Sequence, residues 1–127
     1  MNLSPDQTLK VAAYMAQVAK GPYKVVAALD VATQSIDIMT LQDALVCSNI
    51  HILAVNEAAR GDAYVIRGDW NDDDQDYEYW SNDLGFGSYE TADIFLKKDV
   101  DLPTGGSFVT VGQVHEEWAA PAVGMHI

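Results

Sequence analysis

The sequence has one cysteine, no long apolar run and no signal-like start, and these absences exclude several classes of protein. Because Cys47 cannot form an internal disulfide, the 127-residue chain is not a disulfide-stabilised secreted scaffold. No window approaches the length of apolar chain that a membrane-spanning helix needs. Residues 1–6 lack the basic and apolar regions of a secretory signal. The sequence therefore predicts a cytoplasmic protein.

No basic residue lies between Arg67 and Lys97, whereas nine acidic residues do. Residues 1–60 carry five acids and four bases, whereas residues 61–127 carry fourteen acids and three bases. Almost all of the net charge of −12 thus lies in the second half. Such a field argues against direct binding to nucleic acid or to an anionic membrane. The nine acids are Asp69, Asp72, Asp73, Asp74, Asp76, Glu78, Asp83, Glu90 and Asp93.

Groupings typical of catalytic sites are also missing. The three histidines form no His-x-x-x-His pair and no Cys/His cluster with zinc-binding spacing. They stand at His51, His115 and His126. Cys47 has no adjacent basic residue that would make it reactive, so we expect a buried structural thiol. The sequence predicts no catalytic residue and no cofactor.

The acidic run has part of the spacing of a calcium-binding loop. Asp72, Asp74 and Asp76 fall at the first, third and fifth positions of that pattern, with Asp83 at the twelfth. The sixth position holds Tyr77, although the loop needs glycine there for its sharp turn. We therefore expect no specific metal site, and loose screening by divalent cations remains the alternative.

Helical signals dominate the first sixty residues. Ser4-Pro5-Asp6-Gln7 forms a capping-box start, and Gly21-Pro22 ends the helix that follows. Residues 22–33 predict a second helix, although their β-branched content leaves a strand as the alternative. A third helix is predicted from Thr40 to the glycine stop at Gly61.

In the second half, the periodicity changes to that of strands. Residues 63–70 and 76–81 predict a β-hairpin whose tip, residues 71–75, is acidic. Ser88 is a candidate cap for a short helix, and residues 107–114 fit a third strand.

We therefore predict a single α+β domain over residues 1–127. Its helical part, residues 1–60, packs on a small three-stranded antiparallel sheet with an acidic hairpin in residues 61–127. The apolar segment 118–127 is expected to pack back on this body.

The acidic hairpin is the candidate binding site. Side chains two residues apart on a strand, such as Asp76 and Glu78, lie about 6.6 Å apart on one face. Successive phosphates of a nucleic-acid strand rise about 3.4 Å, so a ridge of carboxylates can occupy a basic groove that normally holds nucleic acid. Trp70 and Trp80 flank the tip and are candidate anchors. The predicted partner-binding residues are Asp69, Trp70, Asp72, Asp73, Asp74, Asp76, Glu78, Trp80 and Asp83. The alternative is a solvated turn whose charges only maintain solubility.

Three phrases of the second half resemble small uncharacterised bacterial and phage proteins. They are Tyr79-Trp80-Ser81-Asn82-Asp83-x-Gly85-Phe86-Gly87-Ser88, then Ala92-Asp93-x-Phe95, and Leu102-Pro103-x-Gly105-Gly106. This resemblance covers about residues 63–112 and implies a hairpin-plus-helix element. In size and acidity the chain is similar to phage inhibitors of host defence, including anti-CRISPR and anti-restriction proteins.

Together these observations predict a non-catalytic inhibitor. Its partner would be a protein with a basic nucleic-acid-binding groove, such as a CRISPR effector complex, in the cytosol of the host if the chain is phage-encoded. The alternative is an adaptor module in which the helical part makes the contacts, with a homo-oligomer formed through the first helix, and the acids only maintain solubility.

Overall fold

The computed structural model describes residues 3–119 and shows two antiparallel sheets with helices around them. The elements in chain order are α1 (Pro5–Val18), β1 (Val25–Asp30), β2 (Ile36–Thr40), α2 (Leu41–Val46), β3 (Ile50–Val55), β4 (Tyr64–Asn71), β5 (Asp76–Ser81), β6 (Gly85–Gly87), β7 (Ser107–Thr110) and α3 (Val111–Ala119). Two 3-10 helices cover Glu57–Asp62 and Tyr89–Thr91. Between residues 3 and 119, no helix is long and apolar enough to cross a membrane.

The strands form two sheets and not one. The first sheet has the order β2-β1-β3, and the second has the order β6-β5-β4-β7. The α+β class is therefore confirmed, but the predicted single three-stranded sheet is wrong. The predicted packing of segment 118–127 falls mostly on residues 120–127, which lie outside the described range.

The first helix begins where the sequence predicts. The Ser4 Oγ accepts a hydrogen bond from the Gln7 N–H at 3.2 Å, and the Gln7 Oε1 accepts one from the Ser4 N–H at 2.9 Å. These reciprocal bonds satisfy two N–H groups that the helix itself leaves free. Val11 is the buried residue of α1.

Apart from the short α2 and the 3-10 helix, the rest of the predicted helical part forms strands and loops, which corrects two predictions. Residues 22–33 contain β1, so the strand alternative is right, and the predicted third helix ends early at Val46. There the Cys47 N–H bonds to the Ala44 carbonyl at 3.3 Å, and Asn49 adopts a positive φ of 59° that turns the chain away. The isoleucines and valine of β3 then pair with β1. Cys47 lies beyond the helix and is exposed, so the predicted buried thiol is also wrong.

In the second half, the predicted hairpin is present as β4 and β5 around residues 71–75. The predicted strand at 107–114 is shorter, because β7 ends at Thr110 and α3 follows directly. The helix predicted from Ser88 is only the 3-10 turn Tyr89–Thr91, and the Ser88 side chain makes no capping bond. Residues 85–87 form β6, which pairs with β5.

Each sheet has its own buried core. The first comprises Val26, Ala28, Leu41, Ala44 and Ile52. The second comprises Ala63, Val65, Tyr79, Val109, Val111 and Val114. Ile94 and Leu96 pack against both cores.

The segment around Ile94 and Phe95 joins the two sheets through its backbone. Ile94 forms an antiparallel bridge with Ile52 of β3, and Phe95 forms one with Tyr64 of β4. Tyr64 and Phe95 exchange two N–H to carbonyl bonds, both 2.7 Å long. We call residues 93–96 the seam segment.

Asn56 fixes the first sheet to its neighbouring helices. Its buried amide donates to the carbonyls of Val18 at 2.9 Å and Tyr23 at 2.7 Å. Its Oδ1 accepts from the N–H groups of Val25 and Ala59. All four hydrogen-bonding positions of the amide are thus used, so the end of α1, the start of β1 and the 3-10 helix are held together.

Candidate functional site

The acidic hairpin is built by β4 and β5, the central strands of the second sheet. Arg67 is paired with Tyr79, Trp70 with Tyr77 and Asn71 with Asp76. The register shifts between Arg67 and Trp70, so a bulge bends β4 just before the tip. The hairpin therefore projects its acidic tip from a sheet whose base is buried.

The tip is ordered by its own hydrogen bonds. The Asn71 Oδ1 accepts from the N–H groups of Asp73 at 2.9 Å and Asp74 at 3.3 Å. The Gln75 side chain donates to the Asp72 carbonyl at 2.6 Å, and its own φ of 53° closes the loop. These bonds use the Asn71 and Gln75 side chains, whereas the carboxylates of Asp73 and Asp74 stay on the surface.

The tip carboxylates have no cationic partner in the part of the chain that the structure describes. Asp69, Asp72, Asp73 and Asp74 are exposed and form no ion pair with residues 3–119. Arg67 is the nearest base in sequence, but its guanidinium bonds to a carboxylate of α3, Glu117, at 2.6 Å. The negative field of the tip is therefore not neutralised by this arginine.

The Arg67 guanidinium also contacts an aromatic ring. Its guanidinium lies 4.2 Å from the centroid of the Tyr77 ring, and its side chain is only 15% exposed. The geometry is that of a cation–π contact.

Trp70 supplies an aromatic surface beside the acids. It is 49% exposed, and its Nε1 donates to the Asp72 Oδ1 at 2.9 Å. Its ring meets the Tyr77 ring edge-on, with centroids 5.1 Å apart. Because both contacts fix its orientation, Trp70 presents apolar area at little further cost in side-chain entropy.

Asp76 and Glu78 adjoin the tip and are half-buried. Asp76 accepts from the Tyr77 N–H at 2.7 Å and from the indole N–H of Trp118 at 3.2 Å. Glu78 accepts from the Asn71 side chain at 3.4 Å. These two carboxylates add charge to the ridge while also holding the hairpin and α3 in place.

Trp80 and Asp83 lie away from the tip, at the opposite end of β5. The Trp80 indole donates to the Asn82 Oδ1 at 2.8 Å, and its ring packs edge-on against Phe86 of β6. Asp83 is exposed in the turn after β5, where its N–H bonds to the Ser81 hydroxyl. The structure therefore places Trp80 and Asp83 apart from the other predicted partner-binding residues, which lie together near the tip.

The incomplete calcium pattern is not assembled into one loop. Asp72 and Asp74 lie at the tip, whereas Asp83 lies at the other end of β5. Within residues 3–119, no three metal-ligating side chains come together.

Asp93 is not part of the acidic surface, although the sequence counts it within the acidic run. It is only 8% exposed, and its Oδ2 accepts from the Asn82 N–H at 2.7 Å. Its Oδ1 lies 3.6 Å from the His51 Nε2 of β3. The apolar neighbours Ala92 and Ile94 are the sequence signal that separates this carboxylate from the others.

Three titrating groups near α3 are shifted by burial. Burial and the charge of Asp76 raise the pKa of Tyr79 to about 12, against the opposing effect of Arg67. Burial raises the pKa of Tyr89, and burial followed by the positive charge of Arg60 lowers the pKa of His115. Of the three side chains, Tyr79 is fully buried, whereas Tyr89 and His115 are partly buried.

Comparison of the chain with protein-family models, with curated proteins and with solved structures finds no match.

Proposed function

We propose that the protein is a non-catalytic inhibitor that binds the basic groove of a nucleic-acid-handling protein through its acidic hairpin. The observation that carries this proposal is the cluster of exposed tip carboxylates, which has no cationic partner in the described residues, beside the half-exposed Trp70. Lysines and arginines of the partner that normally bind phosphates would pair with Asp72, Asp73 and Asp74, and Trp70 would supply the apolar contact.

The order of the tip supports a binding role over a purely solubilising one. Solubility needs only charge, whereas this tip also has three side-chain to backbone bonds and a fixed tryptophan. A preordered surface loses less conformational entropy when it binds.

The finer proposal is that the target belongs to a host-defence system, such as a CRISPR effector complex or a restriction enzyme. It rests on the similarity in size and acidity to phage inhibitors of those systems. The proposed setting is the cytosol of a phage-infected bacterium.

A salt series on captured complexes tests the proposal. Tagged protein is used to capture partners from a bacterial lysate at low and at high salt, and the partners are identified by mass spectrometry. We expect a nucleic-acid-binding complex that elutes as salt rises, because ion pairs between exposed charges are screened.

The matched test of the site is the triple substitution Asp72→Asn, Asp73→Asn and Asp74→Asn. The tip bonds are made by backbone groups of these residues and by the Asp72 Oδ1, which asparagine retains, so the fold is expected to persist. Binding and inhibition are expected to be lost. The control replaces three exposed acids outside the hairpin, Asp37, Asp99 and Asp101, by asparagine and removes the same charge. Equal loss in both variants would show that net charge, and not the tip, determines binding.

A second candidate is an adaptor that binds through its less charged half. The favouring observation is that Leu9, Tyr23 and Val46 are 69%, 77% and 85% exposed. This function predicts a complex, or a homo-oligomer, that survives high salt and is unaffected by the triple substitution at the tip.

A further inference from the structure

Arg60 differs from every other lysine and arginine of the chain. Of the other six, four are exposed and form no ion pair within residues 3–119, and two form ion pairs. The first four are Lys10, Lys20, Lys97 and Lys98, and the paired ones are Lys24, which is also exposed, and Arg67. Arg60 is partly buried, has no carboxylate partner within residues 3–119, and its Nε is a buried donor without an acceptor. Burying a donor without a partner is costly, because nearly all buried polar groups in proteins are hydrogen-bonded.

The guanidinium lies at a groove between the 3-10 helix Glu57–Asp62 and one face of α3. The groove has a volume of about 730 Å³ and is lined by Arg60, Gly112, His115, Glu57 and Glu116, among others. A Cβ on Gly112 would lie 3.5 Å from the Arg60 backbone, so the start of α3 lies close to this arginine. The Gly112 N–H is in the first helical turn, where N–H groups have no partner inside the helix.

The charge of Arg60 acts across the groove. Burial raises the pKa of Tyr89 and the charge of Arg60 opposes this rise, whereas burial and then the charge of Arg60 both lower the pKa of His115. Glu57 and Glu116 also line the groove, but neither forms an ion pair with Arg60. The Arg60 guanidinium is therefore a positive group in the groove that neither of these carboxylates pairs with.

We propose that this groove binds the oxyanion group, carboxylate or phosphate, of a small molecule, with the Arg60 guanidinium as the main contact and the Gly112 N–H as the second. Guanidinium groups bind both anions with paired hydrogen bonds. Glu57 and Glu116 would accept hydrogen bonds from a hydroxyl or ammonium on the same ligand. The site uses a different surface from the hairpin and does not depend on the function proposed above.

Proton NMR of the histidine rings in the unmodified protein tests this directly. Sodium phosphate and sodium acetate are titrated separately, with chloride keeping the ionic strength constant. We expect His115 signals to shift to saturation and the pKa of His115 to rise, because a bound anion favours its charged form. His51, on β3 outside the groove, serves as the internal reference.

The two titrations separate the sources of the anion. Saturation by phosphate alone identifies a phosphate site, saturation by acetate alone identifies a carboxylate site, and saturation by both identifies a general oxyanion site. The proposal is wrong if neither anion gives saturation, or if His51 and His115 shift alike.

Arg60→Gln provides the second test. It is expected to weaken anion binding by roughly 10- to 100-fold, the usual effect of losing a charged hydrogen-bond donor. Lys20→Gln removes the same charge from an exposed position and should bind like the unmodified protein. Arg60→Gln that melts normally and binds normally would overturn the proposal; if it fails to fold, the titrations of the unmodified protein decide alone.

Discussion

Among single residues, Tyr79 shows how burial affects a polar group in this core. Its side chain is fully buried against Val65, Val114 and Tyr89, and its hydroxyl has no regular hydrogen bond to any group of residues 3–119. A buried phenolate would be far from water and close to Asp76, so the neutral form is strongly favoured. Ionisation of Tyr79 at alkaline pH is therefore expected to destabilise the hairpin core.

We predict that the free energy of unfolding falls as pH rises from 10 to 12. Tyr79 ionises near pH 10 in the unfolded chain and near 12 in the fold, so its contribution is complete below pH 10 and is lost as pH rises through 12. The loss is about 1.4 kcal/mol at pH 11. Urea unfolding at pH 9 and pH 11 measures it.

Tyr79→Phe should remove this part of the pH dependence, since phenylalanine does not titrate. Tyr23→Phe, at a position that is 77% exposed, is the control and should keep it. The interpretation fails if the two variants lose the same amount between pH 9 and pH 11.

Local signals were sufficient to predict some residues correctly and not others. The capping box of Ser4 and Gln7 depends on neighbours in sequence, so it could be predicted. The contact between Asp93 and His51 and the ion pair between Arg67 and Glu117 join residues that are far apart in the chain. No pattern in a single sequence reports such contacts.

At the scale of elements, the main error was the helix predicted from Thr40 to the glycine stop at Gly61. Its start at Thr40 is right, because the Thr40 hydroxyl caps the Asp43 N–H at 3.2 Å. The apolar residues that follow fit either a helix or a buried strand, and pairing with β1 decides for the strand. That pairing is a tertiary interaction, so periodicity could not predict it.

The edge strand β6 depends on a glycine of β4. Phe86 packs against Trp80 and also covers Gly68, where an added Cβ would lie 2.7 Å from the Phe86 ring. A methyl group at position 68 would thus displace the ring and loosen the pairing of β6 with β5.

We predict that Gly68→Ala lowers the free energy of unfolding by roughly 1–3 kcal/mol. Chemical denaturation of the variant measures this. Gly61→Ala is the matched control, because an added Cβ there meets nothing within 4 Å and should change stability by less than about 0.5 kcal/mol. A Gly68→Ala protein as stable as the control would show that Phe86 moves aside freely.

At the scale of the whole molecule, the dominant property is the uneven charge. The second half carries most of the net charge of −12, and its tip carboxylates lie close together without cationic partners among residues 3–119. Repulsion within one small region opposes folding, and salt screens it.

We predict that the melting temperature rises with sodium chloride. The triple Asp72, Asp73 and Asp74 to Asn variant should melt higher than the unmodified protein at low salt, by roughly 4 °C for a gain of about 1 kcal/mol. The two should converge at high salt, as differential scanning calorimetry would show. A constant difference at all salt concentrations would mean that the substitutions act on packing or hydrogen bonding and not on charge repulsion.

The candidate site was predictable only in part. The acidic tip and Trp70 follow from composition and from the hairpin pattern, which are local. The distance of Trp80 and Asp83 from the tip follows from the direction of β5 and its pairing with β6. The groove at Arg60 joins residues fifty positions apart, so only the folded chain shows it.

The seam segment has a consequence for how the molecule opens. Ile94 and Phe95 are adjacent in the chain, yet one is bridged to the first sheet and the other to the second. Pulling this segment away would uncover backbone hydrogen-bonding groups on β3 and β4 at the same time, and each uncovered edge is costly. Amide hydrogens of the two sheets should therefore exchange with solvent through one shared opening. A partner bound to the acidic hairpin is then expected to slow amide exchange in the first sheet as well, in the nearly neutral first half of the chain.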